Sequence, residues 1–398
     1  MRRWFPVIIV MFFCLVLVTG VACGGGEEEE EEVKEVKFGW GLPLSGIAGS
    51  LLGVPAKQAL ELANEQIGEF TVAGERYRWD LIIEDNLWTS AGGVATANKF
   101  IYEDGVKIMH QNGADAGSAA QSICEGADVL LDIAGGGLEA FGPDKPYTFQ
   151  VCPTYLVHTP IFLQWLTTAH PEVERVALVN SDDLTGHMVA GAIVDAADYF
   201  GLEVVANEFV PPGTMEYYPT ATKVVATNPD LVEIAPGSGW TTFRELGYEG
   251  LGAHVLWMTS LGESAGWDNI RGFLNYQPNP FGEWLPQEVK DFAVEYERRY
   301  GSELTMGSWW GAMILQVHTS ALEKAGTVDD IDKIIVTMET EALDTMLGPL
   351  RYGGEGLDGI GHMLLWPAPI AEIRDHEFVV IAEFTAEEAE ALAAEVYR

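Results

Sequence analysis

Few side chains in this sequence are spaced for bond-making chemistry, and their spacing says what kind is left. The four cysteines are Cys14, Cys23, Cys124 and Cys152, and the first two fall in or beside an N-terminal apolar run. The separation of Cys124 and Cys152 matches no metal motif. They form either a disulfide or two buried thiols that pack as small hydrophobes. The eight histidines are scattered, and His110 and His187 have no histidine three or four residues on, so no metal site is expected. No Gly-x-Ser-x-Gly elbow is expected, and neither His-Glu-x-x-His nor a Walker loop occurs. Gly135-Gly136-Gly137 is glycine-rich but lacks the lysine of a phosphate cradle. Catalysis is therefore not expected, nor is a cofactor or metal.

The N-terminus supplies an address. Met1-Arg2-Arg3 is positively charged, Val7 to Val18 is unbroken apolar sequence, and Gly20-Val21-Ala22-Cys23 follows. This is the anatomy of a secretory signal over 1–22, too short for a membrane span. A cysteine directly after small residues resembles a bacterial lipobox, which implies lipidation of Cys23. Gly20 stands where a leucine or valine is usual, and ordinary cleavage after a small-x-small site is the competing reading. Three glycines and the glutamates Glu27 to Glu32 then repel one another and cannot bury apolar area, so 23–35 reads as an extended tether.

The 22 lysines and arginines face 60 acids; without Arg2 and Arg3 this becomes 20 against 60, a formal charge of −40. Nucleic acid and anionic lipid surfaces both require cationic footprints, so neither is an expected partner. The 48% apolar content and twelve tryptophans exclude global disorder.

Short apolar strands alternate with helical periods. Val36 to Trp40 reads as a strand, followed by a helix from about Pro55 with Ala56, Ala59, Leu60 and Ala63 on one face. Strands are expected at Trp79 to Ile83, Val106 to Met109 and Val129 to Ile133. A helix capped by Ser90 and another running through Cys124 lie between them. The pattern restarts after Gln150, with strands at Arg175 to Val179, Glu203 to Ala206, Leu231 to Ala235 and His254 to Trp257. Near Trp309 a long helix begins, and Thr385-Ala386-Glu387-Glu388 is a capping box opening the last one. Strand followed by helix, twice over, predicts two α/β units with parallel-sheet cores. Two such sheets facing each other place a small-molecule site in the cleft between them.

Gly41-Leu42-Pro43-Leu44-Ser45-Gly46 with Gly53 and Ala59 to Asn64 resembles the opening of the branched-chain amino acid binding family, the receptors of ABC importers. Further landmarks follow in the family's order: Ile83-Glu84-Asp85-Asn86, Val176 to Asp182 with Gly186, Arg244-Glu245-Leu246-Gly247 and Gly348 to Tyr352. The resemblance implies a type I periplasmic binding fold, two Rossmann-like lobes joined by a three-segment hinge. Crossings between lobes are expected near 150–153, 272–276 and 347–350. Lobe one is then 35–150 plus 277–347, and lobe two 151–276 plus 348–398. Partners implied are a small-molecule ligand, an ABC permease and the membrane through the lipid anchor, with the protein itself monomeric and extracytoplasmic.

The resemblance also locates a ligand site. The family's carboxylate grip maps to Asn112, Gly113, Ala114 and Asp115 and to Gly135, Gly136 and Gly137. Glycines there keep amide donors but lose a hydroxyl, and Asp115 would repel a ligand carboxylate. The ammonium-binding acid maps near Thr259 and Ser260, where no carboxylate stands, although Glu263 is close. Replacement contacts are expected from Ser50, Leu51, Trp88, Thr185, Ser238, Trp240 and Trp309. With both halves of the zwitterion clamp altered, leucine, isoleucine and valine are expected to bind poorly. An amino-acid-like solute, an amide or an aromatic or organic acid is expected as ligand. A sensing receptor on the same fold, without transport, is the alternative.

Overall fold

The computed structural model describes residues 33–235, 238–255 and 259–398. The signal segment, Cys23 and the glutamate run therefore lie outside the described residues. Fifteen strands occur among those described: β1 (Lys34–Leu42), β2 (Glu69–Val72), β3 (Glu75–Asp85), β4 (Ile108–Asn112), β5 (Leu130–Ala134), β6 (Thr148–Gln150), β7 (Arg175–Ser181), β8 (Glu203–Val210), β9 (Leu231–Ile234), β10 (Leu251–His254), β11 (Leu274–Asn275), β12 (Arg351–Gly353), β13 (Met363–Leu365), β14 (Ala368–Arg374) and β15 (Glu377–Phe384). They make two sheets, ordered β12-β13-β6-β5-β4-β1-β3-β2 and β15-β14-β11-β10-β9-β7-β8. Pairing is antiparallel at both edges of the first sheet and at the β15-β14-β11 end of the second, and parallel elsewhere, including the β7–β8 edge. The two α/β lobes expected from the alternating pattern are thus present.

Parallel strands buried on both faces need continuous apolar sequence, and Leu130-Leu131-Asp132-Ile133-Ala134 and Arg175 to Val179 supply it. One charge is tolerated at the centre of the first sheet. Asp132 on β5 and His318 on the helix Met306–Ala325 are both fully buried and joined Oδ2 to Nε2. Burial raises the Asp132 pKa against the pull of His318. The same helix starts with a capping box, Thr305 and Ser308 bonding reciprocally, and packs along Val54–Ile67.

Local readings differ from the structure at identifiable places. Thr89, not Ser90, caps the helix Ser90–Asn98, its hydroxyl accepting the Gly92 N–H. The strand expected at 79–83 is the longer β3, paired with β2 as a hairpin that hydrophobic period alone does not show. The C-terminal capping box forms as expected at Thr385 and Glu388. Cys124 and Cys152 are both buried free thiols.

The chain passes between the sheets three times. Two passages follow β6 and β11. The third falls at Trp366-Pro367, between β13 and β14, and not near Leu347 to Leu350. The reason is sheet pairing: Met363 on β13 lies beside Gln150 on β6, and β12 folds back on β13, so 351–365 closes the first sheet. The three passages are tied together. Trp366 Nε1 donates to the Val151 carbonyl at 3.1 Å, and Gln277 Nε2 to that of Pro153 at 3.4 Å. Asn275 Nδ2 holds the carbonyls of His254 and Val255. Among the described residues no helix is long and apolar enough to cross a membrane.

Candidate functional site

The site is built where the carboxyl ends of both sets of parallel strands meet. In the first lobe Asn86 organises it. Its buried amide donates to the carbonyls of Gly41 and Asn112 and to Gln111 Oε1, binding the ends of β1 and β4 to the loop after β3. Its Oδ1 accepts the Trp88 N–H at 3.0 Å. Leu87 and Trp88 then both take left-handed backbone conformations, with φ of 58° and 56°. For bulky residues that conformation costs roughly 1–3 kcal/mol each, and such strain gathers at functional sites. The indole of Trp88 lies over Gly113, where a Cβ would meet the ring at 3.0 Å. Gly113 itself has φ of 102°.

Trp88 and Trp310 of the first lobe, with Tyr155 at the start of the second, enclose a cavity of about 190 Å³. Leu52, Met306 and Cys152 complete its apolar wall, while Asn112, Thr185 and His254 supply polar atoms and Gly135 exposes backbone. This is on the order of six liquid-water volumes. A second cavity of about 470 Å³ shares Trp88, Tyr155, Thr185 and His254 with it and continues along the second lobe past Asn180, Asp183 and Tyr217. A third, of about 710 Å³, opens outward between Ser50, Gln58, Ser260, Glu263 and Glu303.

The lobes touch at the rim. Asp115 Oδ2 accepts the Leu184 N–H at 3.4 Å, and Glu303 Oε1 accepts that of Thr259 at 2.5 Å. A Cβ on Gly213 would lie 3.1 Å from the Ile47 side chain of the other lobe. Glu303 is half-buried, and its burial raises the carboxyl pKa against the pull of Thr259.

Beneath the second-lobe wall stands a buried acid that sequence reasoning missed. Glu233 on β9 is 1% exposed; its Oε1 lies 3.5 Å from the Tyr276 hydroxyl and 3.7 Å from His254 Nε2. Asn180 stands beside the carboxyl and, with Tyr276, favours its ionised form. Burial pushes the Glu233 pKa up to about 8. Tyr155, also on this wall, has its phenol raised by burial and then by Glu233.

Comparison with known proteins agrees with this architecture. The family model described as periplasmic binding protein matches residues 35–373. The chain belongs to the periplasmic binding protein family. Among solved structures, a leucine-binding protein from Thermotoga maritima is 18% identical, with a TM-score of 0.74 over 89% of this chain and 99% of that one. A solute-binding protein of an ABC transporter from Rhodopseudomonas palustris, in complex with 3,4-dihydroxybenzoic acid, is 20% identical, with a TM-score of 0.73 over 88% and 98%. Another solute-binding protein from that organism, in complex with benzoate, is 14% identical, with a TM-score of 0.74 over 88% and 96%. No curated protein sequence matches the chain. The resemblance to the branched-chain amino acid binding receptors is thereby supported, and the structural likenesses show the fold.

Within this periplasmic binding protein the expected site residues divide. Asn112, Gly135 and Thr185 line the enclosed cavity, and Leu51 the larger one beside it. Gly113 and Ala114 form the adjoining start of the helix Ala114–Glu125, with Asp115 in its first turn. Ser50, Thr259 and Ser260 line only the outer cavity with Glu263, and Ser50 Oγ is turned back to the Ile47 carbonyl. Gly136 and Gly137 turn away, against Phe141 and the Glu139 carboxylate. Trp240 is fully buried in the second lobe, with Nε1 on the Asn269 carbonyl and the Arg244 guanidinium 4.5 Å above the ring. Trp309 is also core, edge-on to Trp366 and Trp284. One residue on, a turn of about 100° puts Trp310 in the cavity instead. Ser238 opens the helix Ser238–Glu245, and its side chain is not described. Tyr155, His254, Met306, Trp310 and Glu233 were not anticipated as site residues. The only signal for Tyr155 was an aromatic just past the first crossing. The letters Gly262-Glu263-Ser264-Ala265-Gly266 do spell Gly-x-Ser-x-Gly. Ser264 nevertheless sits inside the helix Thr259–Ala265 with its hydroxyl on the Leu261 carbonyl, not on a strand-to-helix elbow.

Proposed function

We propose that this chain is the extracytoplasmic, lipid-anchored receptor of an ABC importer. On this reading it captures one small organic solute by closure of its lobes and presents it to a membrane permease. The observation that supports the reading best is the cavity of about 190 Å³ walled by aromatic and aliphatic side chains of both lobes, with a few polar atoms set among them. A site divided between two lobes is complete only when they close, so capture and conformational change are the same event. The three passages lie side by side, with the first bonded to each of the other two, as a hinge between the lobes requires. Amino-acid-like compounds, amides and aromatic or organic acids are the classes to screen, and a single substituted ring suits the aromatic walls. Lipidation at Cys23 keeps the receptor at the membrane while the glutamate tether gives it reach.

The test is solution scattering on protein stripped of endogenous solute, with hits taken from a thermal-shift screen. A solute at 100 times its Kd adds roughly 2.7 kcal/mol to the stability of the form it binds. The radius of gyration should fall when such a solute is added. A proven solute that leaves the radius unchanged removes closure from the mechanism.

A further inference from the structure

The charge of the solute can be read from the acids around the cleft. Helix N-termini converge there, because parallel strands deliver the following helices to that side. Each end carries partial positive charge and free amides that would ordinarily receive an anion. Three of these ends are already met by acids of the chain itself. Asp183 caps Leu184–Phe200, its Oδ1 taking the Gly186 N–H at 2.8 Å. Asp115 lies in the first turn of Ala114–Glu125, and its Oδ2 reaches across to the Leu184 N–H. Glu303 meets the first N–H of Thr259–Ala265. A carboxylate solute would therefore approach carboxylates at the positions where it needs donors.

Nothing in the lining offsets them. None of the three cleft cavities has a lysine or arginine among its lining residues, and 236–238 and 256–258 contain none either. The walls of the enclosed cavity are instead indole and phenol rings, whose faces carry negative quadrupolar charge and attract desolvated cations. The chain as a whole carries a formal charge of −38, which draws cations towards it.

We propose that the solute is a small organic cation, an amine or quaternary ammonium on an apolar body. The rings of Trp88, Tyr155 and Trp310 hold it, within the field of Asp115 and Asp183. This rests on the solute-binding reading above and narrows it, turning the preference away from free acids. A zwitterion such as leucine satisfies the field at its ammonium and opposes it at its carboxylate.

The test uses the mature chain stripped of solute and four probes: benzylammonium, benzoate, tetramethylammonium and L-leucine, by calorimetry and thermal unfolding. Benzylammonium and benzoate share a ring and differ in charge. Benzylammonium should bind at least about tenfold more tightly than benzoate, with leucine also weaker. Asp115→Asn should shrink that preference by roughly tenfold, the loss of one nearby charge in a partly screened site. Trp88→Leu should weaken benzylammonium and tetramethylammonium alike. Benzoate binding as tightly as benzylammonium overturns the cation assignment and leaves solute capture standing. Should all four probes fail, native mass spectrometry of protein purified without stripping decides. A carried cation supports the assignment, and a carried anion or neutral solute overturns it. Protein that carries nothing and whose radius responds to no compound in the screen overturns solute capture itself.

Discussion

Replacing Glu233 by glutamine should stabilise the protein, and by an amount that grows with pH. Burial pushes the carboxyl from an ordinary value of 4.5 up to about 8, although Tyr276 and Asn180 favour the ionised form. A raised acid pKa means that the native state keeps a proton the unfolded chain gives up. Stability is therefore full below the unfolded pKa, falls between about pH 4.5 and 8, and stays low above that. Each pH unit in the window costs about 1.36 kcal/mol, so the penalty is roughly 3 kcal/mol at pH 7 and roughly 5 kcal/mol above pH 8. Glutamine has the same shape and cannot ionise. Tyr155, Tyr276, His254 and Asn180 are the polar groups that face this position, and none carries a fixed positive charge.

Urea unfolding of wild-type and Glu233→Gln protein at pH 5, 6, 7 and 8 isolates the effect. Other titrating groups act equally in both proteins and cancel in the difference. The difference should be below about 1 kcal/mol at pH 5 and should reach several kcal/mol at pH 8. A difference that does not change with pH would refute the reasoning. It would mean that Glu233 is already ionised in the native state at pH 5.

Three further outcomes are expected. His318→Leu leaves Asp132 buried without its partner and should cost roughly 3–5 kcal/mol in the same unfolding assay; a loss under about 1 kcal/mol would show that the pair contributes little. Gly113→Ala forces a side chain into φ of 102° and against the Trp88 ring 3.0 Å away, so solute affinity should fall more than the unfolding midpoint. Cys23→Ala should move the protein from the membrane to the soluble fraction without unfolding it, as fractionation and circular dichroism would show; retention in the membrane would mean that the signal acts as an uncleaved anchor.

The two-lobed frame was legible because parallel strands buried on both faces leave a period that survives without knowledge of tertiary contacts. The β2–β3 hairpin and the last crossing were not, because both depend on pairing between distant segments. Met363 joins the first sheet only because Gln150 lies open beside it. The site was legible in its loops and not in its side chains. Adjacent tryptophans at 309 and 310 look alike in sequence, and only the angle of the helix sends one into the core and the other into the cavity. Glu233 was invisible for the opposite reason. A single acid in an apolar strand reads as an outward-facing residue until the sheet is seen to be covered on both sides.

The rim contacts explain why an acidic cleft can close at all. On the proposed reading, closure brings Asp115 and Glu303 of one lobe towards a second lobe that already holds Asp183, and like charges oppose it. The approach is tolerated because each crossing carboxylate ends on a backbone amide at a helix start, Leu184 for one and Thr259 for the other. That exchange is incomplete, since burial still raises the Glu303 pKa despite its bond. The empty closed state is left with residual repulsion and desolvation, while a cation between the lobes would relieve the repulsion directly. A solute can shift the open–closed balance only by its differential affinity for the two states. The acids that the cleft retains supply that difference for a cation and withhold it from an anion. On the proposed reading, selectivity and closure have one electrostatic origin.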